Sequence, residues 1–177
     1  MPDAPDLLQA IDDLGATPWT GKAYRHTAPE YQPLSGAGAA AIGGRWNPRD
    51  VYTIYLALPE EACLEEFMRL ARGQARGVAS FLPRDLHVVQ VSALEVLDLS
   101  VESARKAVWI SQADIESDDR SLCQDVGRAA YFLGLQGILA PSATRAGFVL
   151  AAFERNVRRS QLTVIETRPL SLTPPDE

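Results

Sequence analysis

The chain has few of the residues on which metal and disulfide chemistry depends. Its 177 residues include two cysteines and two histidines. These are too few, and too widely separated, for the usual zinc or iron sites, and they form no Cys-x-x-Cys pair. We therefore expect no metal cofactor and a reducing, cytoplasmic setting.

Positive charge is also scarce. Lysine and arginine together number 17 against 23 aspartates and glutamates, which gives a net charge of −6 and a pI near 5.0. A general nucleic-acid-binding protein needs a basic surface, so we expect no direct binding of nucleic acid. A small anionic ligand held by a few arginines is still compatible with this charge.

Long hydrophobic runs are missing as well. No uninterrupted apolar segment approaches the length that spans a membrane. The first residues lack the positive segment and apolar core of a signal peptide. We therefore expect a soluble protein with no membrane association.

The length and the 46% apolar content suit a single globular domain. We expect one mixed α+β domain over residues 1–177, with a core at about 20–168, an N-terminal helix within 1–15 and a flexible Pro-rich tail at 172–177. Hydrophobic periodicity and turn residues predict the individual elements. Helices are predicted at 6–14, 60–72, 101–110 and 122–133, strands at 19–26, 51–56, 87–91, 96–99, 138–140, 148–153 and 162–166, and an exposed loop at 114–119.

The most informative segment is residues 43–47, with the sequence GGRWN. Its two glycines allow a tight turn and the close approach of a ligand, and the guanidinium of Arg45 suits a phosphate group. Tyr55 follows at the end of a predicted strand, and Glu66 follows on an amphipathic helix. A cation, an aromatic ring and a carboxylate fit a phosphorylated, aromatic, sugar-containing ligand such as nicotinamide adenine dinucleotide (NAD⁺). A carboxylate also stabilises the positive charge that develops when an N-glycosidic bond breaks.

Each of these residues has an ordinary structural explanation too. Arg45 alone would suit a surface salt bridge or stacking on a neighbouring ring, Tyr55 a buried strand position, and Glu66 an exposed helix face. Arg25 is a second cation that could reach the ligand. Ser142 directly follows a predicted strand, where a short polar side chain either orients a ligand or caps a turn.

Together these segments resemble the RES domain, named for its Arg, Glu and Ser. The resemblance rests on residues 36–38 and 43–47, on 55–66, and on 137–143, and it extends from about 24 to 153. It implies a fold similar to ADP-ribosyltransferase toxins, with a mainly antiparallel sheet flanked by helices. It also implies a toxin of a bacterial toxin–antitoxin pair that consumes NAD⁺ by hydrolysis or phosphorolysis. The implied partner is an antitoxin with an Xre-type helix-turn-helix domain that covers the active site, with a homodimer as one arrangement inside such a complex.

The resemblance also implies roles for five residues. Arg25 and Arg45 would bind the phosphates and ribose of NAD⁺, Tyr55 would stack on it, Glu66 would be the catalytic carboxylate, and Ser142 would orient the substrate. A slip of one residue in the register would give the catalytic role to the neighbouring Glu65.

Some features depart from the family pattern. Residues 48–50 replace the commoner proline-glycine turn, and Phe148 stands near a position where an asparagine is usual. Two further functions therefore stay open beside NAD⁺ degradation. One is ADP-ribosyl transfer to a macromolecule at the same site, and the other is an inactive module that binds a nucleotide or a partner.

Overall fold

The computed structural model describes residues 4–75 and 77–171. The tail predicted from residue 172 onward lies outside this part of the chain. The helices are α1 (Ala4–Leu14), α2 (Ala37–Ile42), α3 (Glu60–Arg72), α4 (Glu102–Ala107), α5 (Gln112–Glu116) and α6 (Ser121–Phe132). The strands are β1 (Thr17–Thr27), β2 (Thr53–Leu58), β3 (Asp85–Asp98), β4 (Gly137–Pro141), β5 (Phe148–Phe153) and β6 (Leu162–Pro169).

Five of the strands close into a ring. β1 pairs with both β2 and β3, and the circuit is completed through β4 and β5. β3 is long enough to pair with β1 along most of its length, while its other edge is shared between β6 and β4. All pairings are antiparallel except that of β3 with β4. The predicted mixed α+β architecture with a mainly antiparallel sheet is therefore confirmed.

The closure of the sheet was not predicted. The alternation of apolar and polar residues along a strand indicates which face of the strand is buried. It does not indicate which distant strand pairs with it. Ten residues of β1 pair antiparallel with β3, with one irregularity between Trp19 and Gly21.

The core divides into three clusters, and one of them fixes the helix that carries Glu66. That cluster lies under α3, where Ala62, Cys63 and Phe67 are almost fully buried against β1, β2 and the start of β3. Burying a side chain such as Phe67 contributes about 2–3 kcal/mol. The rotation of α3 about its axis is thereby set, and with it the direction of its polar side chains.

Two local predictions were wrong, and one short helix was not predicted. The two strands predicted at 87–91 and 96–99 form the single strand β3, which passes through Ala93 in the left-handed region (φ 47°). The loop predicted at 114–119 begins within helix α5, which is stabilised by a capping box between Ser111 and Asp114. Small residues before the GGRWN segment, for which no regular element was predicted, form the short helix α2.

Candidate active site

The structure contains a cavity of about 580 Å³. It lies between α3, the strands β1 and β2, the GGRWN segment and the residues before α6. Four of the five predicted site residues line it, namely Arg25, Arg45, Tyr55 and Glu66. Side chains from four separate parts of the chain thus meet in one place.

The GGRWN segment is held rigidly by the buried side chain of Asn47. Its Nδ2 donates hydrogen bonds to the carbonyl oxygens of Ala39, Pro48 and Val51 at 2.9–3.1 Å. Its Oδ1 accepts from the amide of Gly44 at 3.1 Å. One side chain therefore ties the segment to the end of α2 and to the approach to β2.

Tyr55 braces the same segment from β2. Its hydroxyl donates to Asn47 Oδ1 at 2.7 Å and accepts from the amide of Trp46 at 2.8 Å. Burial raises the pKa of Tyr55 far above its usual value, so the phenol stays protonated. A Cβ at Gly44 would lie 2.4 Å from this hydroxyl, which explains the glycine at that position.

Arg45 extends from the braced segment toward α5. Its Nη1 donates to the carbonyl oxygen of Ser117 at 2.8 Å. The pKa of Arg45 is lowered, chiefly by burial and also by the neighbouring positive charges of Arg120 and Arg69. Arg45 is itself half-buried and bound to the carbonyl of Ser117, so the structure does not show it as a free surface residue.

Arg25 lies on β1 and is the more deeply placed of the two predicted cations. Its Nη2 donates to the carbonyl oxygen of Ser35 at 2.9 Å. Its Nη1 is buried and has no hydrogen-bond partner among the described residues. Burial lowers the pKa of Arg25, although Glu154 partly offsets this effect. A buried guanidinium with a free donor is a suitable anchor for an anionic group of a ligand.

Glu66 and Ser142 form a pair. The hydroxyl of Ser142 donates to Glu66 Oε1 at 2.7 Å. Ser142 is fully buried where it follows β4, in a turn closed by a hydrogen bond from its amide to the carbonyl of Gly147. It contacts the carboxylate and does not itself line the cavity. A hydrogen bond to a charged group contributes about 1.5–3 kcal/mol, so this contact fixes the orientation of Glu66.

The two adjacent glutamates lie in different surroundings. Glu66 lines the cavity, whereas Glu65 is exposed and does not. The two side chains differ because Phe67 and Cys63 anchor α3 with its buried face toward the sheet. Glu66 lies at the edge of that face and Glu65 lies beyond it.

Several cavity residues were not predicted from the sequence. His26, Cys63, Arg69 and Arg120 all line the cavity. Arg69 could have been found, because it follows Glu66 by three residues on a helix and so lies on the same side. Arg120 gives no such signal, since only the tertiary fold brings it close.

His26 and Cys63 are held in their neutral forms. His26 Nδ1 accepts a hydrogen bond from Arg84 Nε at 2.8 Å. Burial, assisted by the charge of Arg84, lowers the pKa of His26 to about 4. Burial raises the pKa of Cys63 to about 12, assisted by Glu60 and Glu66, so its thiol is not a nucleophile near neutral pH.

Phe148, which replaces an expected asparagine, is 38% exposed at the start of β5 and is not among the residues that line the cavity. Its neighbour Val149 does line it. In residues 4–75 and 77–171 there is no group of three or more His, Cys, Asp or Glu side chains suited to a metal ion. No helix in that part of the chain is long and apolar enough to cross a membrane.

Comparison with known proteins now adds to this geometry. The sequence pattern of the RES domain matches residues 22–173. The chain belongs to the RES-domain family. As a RES-domain protein, it is 41% identical to proteins named NAD(+) phosphorylase MbcT from Mycobacterium tuberculosis and Mycobacterium bovis, over 98% of this chain and 95% of theirs.

A solved structure shares the fold of this RES domain. It is the crystal structure of the M. tuberculosis MbcT-MbcA toxin-antitoxin complex, in which one chain matches with a TM-score of 0.87 and 39% identity. The match covers 96% of this chain and 93% of that one. The family resemblance noted in the sequence is therefore confirmed along nearly the whole chain.

Proposed function

We propose that this RES domain is the toxin of a toxin–antitoxin pair and that it degrades NAD⁺. The bond broken is the one between nicotinamide and ribose, and inorganic phosphate is the acceptor of the ADP-ribosyl group. The observation that carries this proposal is Glu66, a carboxylate that Ser142 holds in place in a cavity lined by four arginines. The near full-length similarity to proteins named NAD(+) phosphorylase supports the choice of phosphate as the acceptor.

The two inner arginines suit the pyrophosphate of NAD⁺. Nη1 of Arg25 is a buried hydrogen-bond donor with no partner among the described residues. The guanidinium of Arg45 is fixed just after the end of α5 by its hydrogen bond to the carbonyl of Ser117. Guanidinium groups bind phosphate oxygens with paired, charge-assisted hydrogen bonds. Both side chains are positioned by other contacts before a ligand arrives, so little conformational entropy is lost on binding.

Tyr55 and Glu66 suit the nicotinamide riboside half. The hydroxyl of Tyr55 is engaged with Asn47 and Trp46, which leaves its ring as the part that packs against the ligand. Glu66 would hold the ribose and stabilise the positive charge that develops on its anomeric carbon as nicotinamide leaves. Ser142 would act through Glu66, by holding the carboxylate in place.

The finer features of the family stay part of this proposal. The partner would be an Xre-type helix-turn-helix antitoxin that covers the cavity, in a complex that contains a toxin homodimer. The protein would act in the cytoplasm, where NAD⁺ is found, and its fold would be related to ADP-ribosyltransferase toxins. Support comes from a solved toxin–antitoxin complex with this fold.

The test follows the fate of labelled NAD⁺. Purified protein is incubated with NAD⁺ labelled in the adenylate half and with phosphate, and nicotinamide and the labelled product are quantified. We expect equal amounts of nicotinamide and of ADP-ribose phosphorylated on the anomeric carbon. Label on macromolecules in a cell extract would replace the proposal with ADP-ribosyl transfer. Tight NAD⁺ binding with no nicotinamide release would identify an inactive module.

A further inference from the structure

Four arginines line the cavity of a chain whose net charge is −6. Arg25 and Arg45 are already tied to backbone carbonyls and suit the pyrophosphate of NAD⁺. Arg69 and Arg120 are exposed, and within residues 4–75 and 77–171 their guanidinium groups have neither a hydrogen-bond nor an ion-pair partner. The cavity therefore has two guanidinium groups beyond the two that suit the pyrophosphate.

The position of Arg69 relative to Glu66 is fixed by α3. The two residues are separated by three positions on one helix, which places their Cβ atoms roughly 5–6 Å apart on the same side. Arg120 lies just before α6 and faces the same cavity. Both charges act on Arg45, whose pKa they help to lower after the larger effect of burial. Three guanidinium groups thus lie near one another beside the carboxylate.

The nearby acidic side chains offset only part of this positive charge, although Arg69 does act on Glu116. Glu116 is engaged by Arg145, through Nε at 2.5 Å and Nη2 at 3.0 Å. Asp118 also lines the cavity, so four guanidinium groups there stand against two carboxylates, Glu66 and Asp118. A surplus of fixed positive charge beside a reaction centre favours the binding of a second anion.

We propose that Arg69, together with Arg120, binds the inorganic phosphate that accepts the ADP-ribosyl group. This inference rests on the function proposed above and assigns the acceptor site within it. In the reaction the bond between the anomeric carbon of the ribose and the nicotinamide nitrogen breaks. The nitrogen keeps the electron pair, so nicotinamide leaves as a neutral molecule. A lone pair on a phosphate oxygen forms the new carbon–oxygen bond, and the phosphate proton passes to solvent. Atoms and charges balance without any other reactant.

The proposal explains why a cation follows the carboxylate by one helical turn. A phosphate dianion that approaches the anomeric carbon also approaches Glu66, and the two negative charges repel each other. The guanidinium of Arg69 offsets this repulsion and can orient two phosphate oxygens at once. An attacking water molecule carries no negative charge and has no second oxygen to orient. Loss of Arg69 should therefore impair phosphorolysis more than hydrolysis.

The test compares Arg69→Ala, Arg69→Lys and the control Arg72→Ala. Arg72 lies on the same helix, is exposed and does not line the cavity. We expect Arg69→Ala to raise the KM for phosphate about tenfold or more, with the KM for NAD⁺ changed less than about twofold. Arg69→Lys should recover part of the loss, Arg72→Ala should match the wild type, and at limiting phosphate Arg69→Ala should release a larger share of free ADP-ribose.

Two results would overturn the inference while leaving the proposed function intact. One is an unchanged KM for phosphate in both Arg69→Ala and Arg120→Ala. The other is a rise in the KM for NAD⁺ alone, which would assign these arginines to the dinucleotide. Absence of nicotinamide release by the wild-type protein, by contrast, would refute the proposed function itself.

Discussion

The inner and outer parts of the cavity are built in different ways. In the inner part Arg25, Arg45 and Glu66 are each held by a hydrogen bond to another residue. In the outer part Arg69 and Arg120 are exposed, and their guanidinium groups have no such contact in the described part of the chain. The inner part is therefore organised before substrate binds, while the outer part is ordered by its ligand. Fixed groups suit transition-state stabilisation, and free cations suit the capture of a mobile anion.

The largest effect should come from removing the negative charge of the inner part. Glu66→Gln keeps the shape of the side chain but removes the charge that stabilises the developing cation. We expect kcat for nicotinamide release to fall about 10³-fold. Glu65→Gln, the matched control on the exposed neighbour, should retain the wild-type rate. Equal losses in the two variants would contradict the assignment of Glu66.

The next largest effect should distinguish the arginines of the inner part from those of the outer part by their contribution to NAD⁺ binding. Arg25→Met removes a buried charge and should weaken NAD⁺ binding about tenfold to hundredfold in phosphate-free buffer. Arg120→Met should change the NAD⁺ dissociation constant less than about twofold. Isothermal titration calorimetry in the Glu66→Gln background measures both without turnover. Similar losses in both variants would erase the distinction between the inner and outer parts.

How well a feature of this site could be predicted depends on how far apart in the chain its contacting residues lie. The turn after α1, the helix α3 and the strand β5 follow from local patterns, so they were predicted nearly to the residue. The GGRWN segment and Glu66 were found because their spacing in the chain is informative. Contacts that depend on tertiary closure were not found, among them that of Ser117 with Arg45 and the position of Arg120.

For Ser142 the sequence predicted the position of the residue but not the contact that its side chain makes. Its place after a strand and its family motif indicated a polar residue near the ligand, and the side chain does lie near the cavity. Only the fold shows that its hydroxyl is buried against Glu66 and is directed away from solvent. The sequence pattern locates such a residue but does not distinguish contact with the substrate from contact with another side chain.

Ser142→Ala tests this positioning role and should have a smaller effect than loss of the carboxylate. We expect kcat to fall about tenfold, because Glu66 loses a hydrogen bond that fixes its direction. The KM for NAD⁺ should stay within about twofold of the wild-type value. Steady-state kinetics measure both, with Ser80→Ala, an exposed serine outside the cavity, as the control. A change confined to KM would instead favour direct contact with the substrate.

The last prediction concerns stability at acidic pH and leaves activity aside. His26 has a folded-state pKa of about 4, below its ordinary value of 6.5, because burial and Arg84 disfavour its charged form. Between these two values the unfolded chain binds more protons than the folded one, so stability should fall as the pH is lowered from about 6.5 to 4. The contribution of His26 over this range should be at most about 3 kcal/mol.

Urea denaturation at several pH values measures this dependence. The variant His26→Gln keeps a polar side chain but cannot titrate, so its stability should decline less steeply over the same range. His87, whose pKa burial also lowers, stays in both proteins and supplies the common background. Parallel profiles for the wild type and His26→Gln would show that His26 does not titrate as its surroundings indicate.

The most direct test of NAD⁺ phosphorolysis uses phosphate labelled with ¹⁸O at all four oxygens. Purified protein is mixed with NAD⁺ and this phosphate, and the masses and amounts of the ADP-ribose products are determined by mass spectrometry. Attack by a phosphate oxygen on the anomeric carbon predicts a product that keeps all four labelled oxygens, in amounts equal to the nicotinamide released. Unlabelled ADP-ribose as the sole product, or no nicotinamide at all, would contradict the account.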